Sequence, residues 1–238
     1  KAIPKDVLNI HLNTQNAVST VYGIEIPAYE ITEDGVGVDF NITEEGISVG
    51  TVKNISTVEN ACQNLLNKGC EAIAIVCLFN DSEEQNENYS SAIGVDPVGG
   101  VEAIISHDIS MKFCIPCAHS PAFCDYQITS ELVNPKSASE YITPTFLPCI
   151  LLGLSQAPKL TKDKNKGINI NNLDYLIMPY NSLGSTPVIE AAKRNIKIYA
   201  VKENQTVLNV DKTKIPYGNN IIEVSTYNQA LKIIESEV

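Results

Sequence analysis

Residues 71–79, EAIAIVCLF, form an apolar run with almost no polar alternation. A strand of this kind needs cover on both faces, which a parallel sheet packed between helices supplies and a half-solvated antiparallel sheet does not. The run therefore predicts a central strand. Before it, VENACQNLLNKG carries Val58, Cys62, Leu65 and Leu66 at helical spacing, with Ser56 and Glu59 as a capping-box pair and Gly69 as the stop. After residue 172 the same logic repeats: LDYLIMP as strand, NSLGSTP as loop, VIEAAKRN as helix, IKIYAV and NIIEV as strands, and TYNQALKIIESEV as a closing amphipathic helix. Such alternation implies parallel strands joined by right-handed crossovers.

Elsewhere the pattern is less regular. HLNTQNAVSTVYG predicts a short helix capped at Asn13 or Thr14 and stopped at Gly23. IEIPAYEIT, GVGVDFNI and GISVGTV, separated by Glu-Asp-Gly and Glu-Glu-Gly turns, predict an antiparallel meander. NDSEEQNENYSS reads as a surface loop, VEAIISHDIS as a two-faced helix, FCIP as a short strand or extended link, and CAHSPAFCDYQIT as a loop. SASEYITPTFLPCILLGLSQ reads as a helix broken near Thr143-Pro144 and Pro148. The expected fold is a mixed, largely parallel α/β sheet flanked by helices in Rossmann-like three-layer units, with an N-terminal β-hairpin or meander. Its expected divisions are a lobe over 1–158, a lysine- and asparagine-rich linker over 159–172 and a second lobe over 173–238, the two lobes able to pack as one domain.

The formal charge of −11 disfavours nucleic acid and anionic membrane surfaces as partners, because both would repel the chain on approach. No apolar stretch is long enough to span a bilayer and no secretory signal opens the sequence, so a soluble protein is expected. The first residue is Lys1, which suggests a processed or trimmed chain. Seven cysteines, Cys62, Cys70, Cys77, Cys114, Cys117, Cys124 and Cys149, make an odd set, several of them within apolar runs. That usage fits free thiols in a reducing compartment such as the cytoplasm.

Two junctions place a small-residue loop directly before a helix: Asp96 to Gly100, including Gly99, and Asn181 to Thr186, including Ser182, Gly184 and Ser185. Loops at the carboxyl ends of strands are where α/β sheets bind ligands, and a helix start offers unpaired N–H donors to an anion. Neither loop matches a P-loop or a dinucleotide fingerprint, and Ser185 or Thr186 capping a helix with Pro187 in its first turn is an equally ordinary reading. Between them, Asp96, Glu102, His107, Cys117 and His119 gather titratable groups, with two of the three histidines inside thirteen positions. Histidine titrates near neutrality and a neighbouring thiol can act as nucleophile, so acid-base or covalent chemistry is feasible. Glu102 and His107 are five apart and do not share a helical face. Ser120 adjoins His119, and Glu203 and Asn204 follow the strand IKIYAV, where polar residues often meet ligand. CxxCxH from Cys114 to His119 raises a zinc or redox reading, but His107 and Cys124 make an irregular second ligand pair and the segment does not open a helix. No metal or cofactor is assigned.

GVDPVGGVEAIISH, IPCAHSPAF and TFLPCILLGLSQAP, in that order, resemble an uncharacterised family, the domain of unknown function 3326, found in photosynthetic bacteria and some eukaryotes. The similarity continues through the strand-loop-helix before VIEAA and through KENQTVLNV. By position it singles out Asp96, Pro97, Gly100, Glu102, His107, Pro116, Cys117, His119, Pro121, Glu203 and Asn204. Cys114 and the segment Tyr180 to Ser185 depart from the family pattern, and family members extend upstream with a glycine-rich segment absent here. The resemblance implies no known activity and adds the plastid stroma as a reducing compartment. The expected function is an enzyme acting on a small anionic metabolite, a carboxylate or phosphate. His107 and His119 would serve as acid-base groups, Cys117 as nucleophile or proton donor, and Asp96 and Glu102 as groups that orient a histidine or bind a cation. A non-catalytic binding module and a structural metal site are the alternatives, and a homo-oligomer is compatible with either.

Overall fold

The computed structural model describes residues 1–79, 93–122, 132–135 and 145–237, and within these the chain divides into two compact units. The first comprises residues 1–42 and 48–162, the second residues 43–47 and 163–238. The fold is mixed α/β, with parallel strands flanked by helices and an antiparallel hairpin near the N-terminus.

The first unit opens with helix α1 (Lys5–Tyr22), longer at its start than the sequence suggests, with Pro4 at the cap and Gly23 closing it at φ 67°. His11 is buried on this helix, its Nδ1 2.8 Å from the Val7 carbonyl. Strands β1 (Val38–Ile42) and β2 (Ser48–Val52) form the hairpin. The expected third strand, IEIPAYEIT, does not form. Its residues keep an alternation of half-buried and exposed positions but pair with nothing in a ladder, and Pro27 in its middle has no N–H to donate. Helix α2 (Ile55–Asn67) starts after Asn54, and the capping box expected from Ser56 and Glu59 is absent. Ser56 instead donates to Asn54 Oδ1 at 2.8 Å, and Glu59 pairs with Lys112 at 2.6 Å.

Strand β3 (Ile73–Cys77) is the apolar run, and it pairs in parallel with β4 (Cys117–Pro121) through the crossover helix α3 (Gly99–Phe113). That pairing corrects the loop expected over CAHSP. Poor strand formers are held there by a register that sets Ile73 against Cys117 and Ile75 against His119. In FCIP, conversely, Phe113 ends α3 and residues 114–116 turn into β4, with Cys114 in the left-handed region at φ 56°. Ile73, Ile75 and Cys77 pack with Ile105 and Ile109 of α3 and Val58 and Cys62 of α2. Helix α4 (Leu147–Ser155) contacts both β3 and β4 as well as α1, and Pro148 lies in its first turn, starting the helix rather than kinking it. The acidic NDSEEQNENYSS loop and the Thr143-Pro144 break lie outside the described residues.

In the second unit, β5 (Tyr175–Pro179), β6 (Lys197–Val201) and β7 (Ile221–Val224) form a parallel sheet in chain order. Helix α5 (Thr186–Lys193) covers it with Val188, Ala191 and Ala192 against Ile198 and Ala200. Helix α6 (Tyr227–Glu237) packs Ala230 with Tyr199, Val201 and Val224. The alternation read from the sequence is thus the architecture here.

Candidate functional site

The first turn of α3 is shaped by two close backbone approaches. A Cβ on Gly100 would lie 2.3 Å from the Ser48 carbonyl oxygen, and one on Gly50 would lie 2.3 Å from the Asp39 carbonyl oxygen and 2.4 Å from Val101 Cγ1. Only glycine lets the hairpin and the helix meet this closely. Ser48 exploits the approach, accepting from the Gly100 N–H at 3.0 Å and donating to the Pro97 carbonyl at 2.7 Å. Asp96 accepts from the Val98 N–H at 2.9 Å. The N–H groups of Val98 and Gly100, expected to cradle an anion, are therefore bonded within the chain. Gly99 is different, since a Cβ there would sit 3.4 Å from Asp96 Oδ2, ordinary contact at the limit of tightness.

One turn into the helix, Glu102 and Ser106 stand four residues apart and share a face. Both are almost fully buried, at 2 % and 3 % exposure. His119 on β4 meets them: its Nδ1 is 3.0 Å from Ser106 Oγ and its Nε2 is 4.0 Å from Glu102 Oε2. The imidazole remains about one-third exposed while the carboxylate beneath it is not, with side-chain exposures of 32 % and 2 %. Burial lowers the His119 pKa from its ordinary value; the charge of Asp96 opposes this and that of His107 reinforces it. The net direction keeps the ring neutral at pH 7, as required of a proton acceptor.

Of the residues expected to form a site, the structure thus gathers Glu102 and His119, with Asp96 and His107 in electrostatic reach. His107 is exposed on α3. Cys117 packs against the apolar core between β3 and the helices. Burial, followed by the neighbouring Cys62, pushes its thiol up to about 12. A thiol held up in this way is a poorer nucleophile than an activated one, since the thiolate is the reactive form. Cys62 and Cys77 are likewise pushed up to about 12, chiefly by burial. Ser120, fully buried, alternates to the other face of β4, with its hydroxyl 3.4 Å from the Pro121 carbonyl. Among the described residues no three His, Cys, Asp or Glu side chains converge to hold a metal ion.

The remaining residues belong to the second unit. Asn181 donates to the carbonyls of Thr206 and Leu208 and accepts from the Thr206 N–H, while Ser182 Oγ lies 2.9 Å from Thr206 Oγ1. These contacts tie the loop after β5 to the segment after β6. Gly184 is exposed, and a Cβ on it would lie 3.1 Å from Val210 Cγ1. Ser185 precedes α5 without making a side-chain cap bond, and Thr186 is exposed at the helix start. Glu203 Oε1 accepts from the Tyr227 N–H at 2.7 Å, and Asn204 Nδ2 donates to the Tyr227 hydroxyl at 2.6 Å, which fastens α6 to the end of β6.

Ser106 is the residue that sequence reasoning missed. Its signal is the four-residue spacing from Glu102, one helical turn, whereas His107 lies one position further on and off that face.

A family model described as protein of unknown function (DUF3326) matches residues 1–237. The chain is 33 % identical over 235 residues to an uncharacterized lipoprotein of Synechococcus sp., an alignment covering 97 % of this chain and 65 % of that protein. The chain therefore spans about two thirds of that relative's length. No solved structure matches it. Among the described residues no helix is long and apolar enough to cross a membrane.

Proposed function

The chain belongs to DUF3326, a family of unknown function, and from that premise we propose that it is an enzyme transferring a proton to or from a small metabolite at His119. The observation that carries this reading is the buried Glu102 carboxyl standing 4.0 Å from Nε2 of the imidazole, which is about one-third exposed. That separation is too long for a direct hydrogen bond, and the solvent-facing imidazole edge is the member of the pair that a ligand N–H, O–H or acidic C–H can reach, with the carboxylate behind it to stabilise the protonated ring. Asp96 and His107 tune the ring through their charges. Cys117 takes no covalent part in this reading.

The carboxyls of Asp96 and Glu102 already stand at the positive end of α3. The reading therefore commits to acid-base chemistry first and to a carboxylate or phosphate ligand second. A reducing compartment, cytoplasm or plastid stroma, is part of the proposal, supported by the six cysteines that are free thiols among the described residues.

The test is a thermal-shift screen with small carboxylates, phosphates, amines and neutral polyols, followed by turnover assays on the hits. The expected result is a ligand consumed by the wild type and by Cys117→Ala but not by His119→Gln or Glu102→Gln. Turnover surviving His119→Gln would overturn the reading. Binding equal in all four proteins with no turnover would support a non-catalytic module instead.

A further inference from the structure

Ser106 Oγ sits between two hydrogen-bonding atoms, the Ala103 carbonyl oxygen at 3.2 Å and His119 Nδ1 at 3.0 Å. A hydroxyl has one proton to give. If Ser106 gave it to Nδ1, the Ala103 contact would be between two acceptors. Both contacts are hydrogen bonds when Ser106 donates to Ala103 and Nδ1 carries a proton that it donates to Ser106. We propose that Ser106 is a positioning residue that fixes His119 as the Nδ1–H tautomer, leaving the basic lone pair on Nε2, the atom facing Glu102 and an entering ligand.

This deepens the reading of His119 as the acid-base group and rests on it for its functional meaning. Ser106 itself is only 3 % exposed, so it does not meet a ligand directly. It acts through the ring, as the third member of an acid-base set whose outer member alone reaches solvent. The depressed His119 pKa is consistent with this, since the tautomer of a neutral ring matters only when the ring is neutral. The 4.0 Å separation from Glu102 also suits it, because an Nε2 lone pair pressed to hydrogen-bond distance against a carboxylate would be repelled.

The tautomer can be read on the full chain without any ligand, by long-range ¹H–¹⁵N NMR at neutral pH, with His11→Gln, His107→Gln and His119→Gln assigning the three rings. The expected result is an unprotonated-type Nε2 and a protonated-type Nδ1 for His119. In Ser106→Ala the ratio of the two tautomers should move toward Nε2–H by roughly tenfold, the weight of one ordinary hydrogen bond. A wild-type His119 protonated on Nε2 would overturn the inference whatever the variant does, as would a tautomer ratio unchanged in a folded Ser106→Ala protein. A wrong tautomer leaves His119 as the ligand-facing group, and a failed metabolite screen leaves the tautomer result intact, so the two readings fail separately.

Discussion

The β3–α3–β4 and β5–α5–β6 segments are the same supersecondary unit, a parallel pair joined through a helix, yet they use their polar residues in opposite ways. In β5–α5–β6 the polar groups behind the strands bond to the chain: Asn181 and Ser182 to Thr206, Glu203 and Asn204 to Tyr227. They hold loops and helix ends in place, as backbone groups near a surface require. In β3–α3–β4 the helix start is satisfied locally by Ser48 and Asp96, and a further set, Glu102, Ser106 and His119, is gathered one turn deeper with its imidazole edge open. Burying a carboxyl and a hydroxyl costs stability that apolar residues would not. A polar loop at a strand end is therefore weak evidence of a site, whereas a buried polar set with one exposed member is stronger evidence.

The comparison breaks first at the glycines. Gly100→Ala and Gly50→Ala each drive a methyl into backbone at 2.3 Å and should cost about 3 kcal/mol or more, read by denaturant unfolding. Gly99→Ala should cost under about 1 kcal/mol, since its nearest neighbour is the Asp96 carboxylate at 3.4 Å. Equal losses at Gly99 and Gly100 would mean that the hairpin does not pack on α3 as described.

Next comes Asn181→Ala, which removes the side-chain bonds to Thr206 and Leu208 and should cost about 2 kcal/mol while leaving any ligand response of the first unit unchanged. A lost ligand response with stability intact would make that loop a binding site.

His119 sharpens the contrast through pH. Its folded pKa lies below its unfolded value, so the unfolded chain takes up the proton first. The stability linked to the neutral ring is present above about pH 6.5 and is lost as pH falls through the folded pKa. His119→Gln should flatten that part of the acid limb in urea-unfolding measurements from pH 7.5 to 5. An unchanged limb would contradict the depressed pKa.

The smallest effect concerns the thiols. Iodoacetamide at pH 7.5 should modify the exposed Cys149 well before the buried Cys62 and Cys77 and the part-buried Cys117, whose thiols are held up at about 12. Early labelling of Cys117, seen by peptide mass mapping, would restore it as a nucleophile.

What could be read from the sequence was whatever hydrophobic period or punctuation encodes locally. The run at 73–77, the helix over Val58, Cys62 and Leu65, and the β–α–β alternation after residue 172 are of this kind. CAHSP was not legible, because His, Ser and Pro are poor strand formers and its conformation is imposed by pairing with β3, forty-four residues away in sequence register. IEIPAYEIT failed the other way, having the period of a strand without a ladder partner. Glu102 and His119 were visible as residue types. Their meeting was not, because it depends on that unforeseen strand, and Ser106 enters only once β4 brings His119 across the face of α3.

The central claim is that ligand chemistry belongs to the buried set in the first unit and not to the polar loop in the second. The most direct measurement is ¹H–¹⁵N NMR of the full chain while the panel of carboxylates, phosphates, amines and polyols is added. Binding is predicted to perturb the His119 ring and the amides of Glu102 and Ser106, leaving those of residues 181–186 unmoved. A ligand that shifts 181–186 and leaves His119 unchanged would contradict the account.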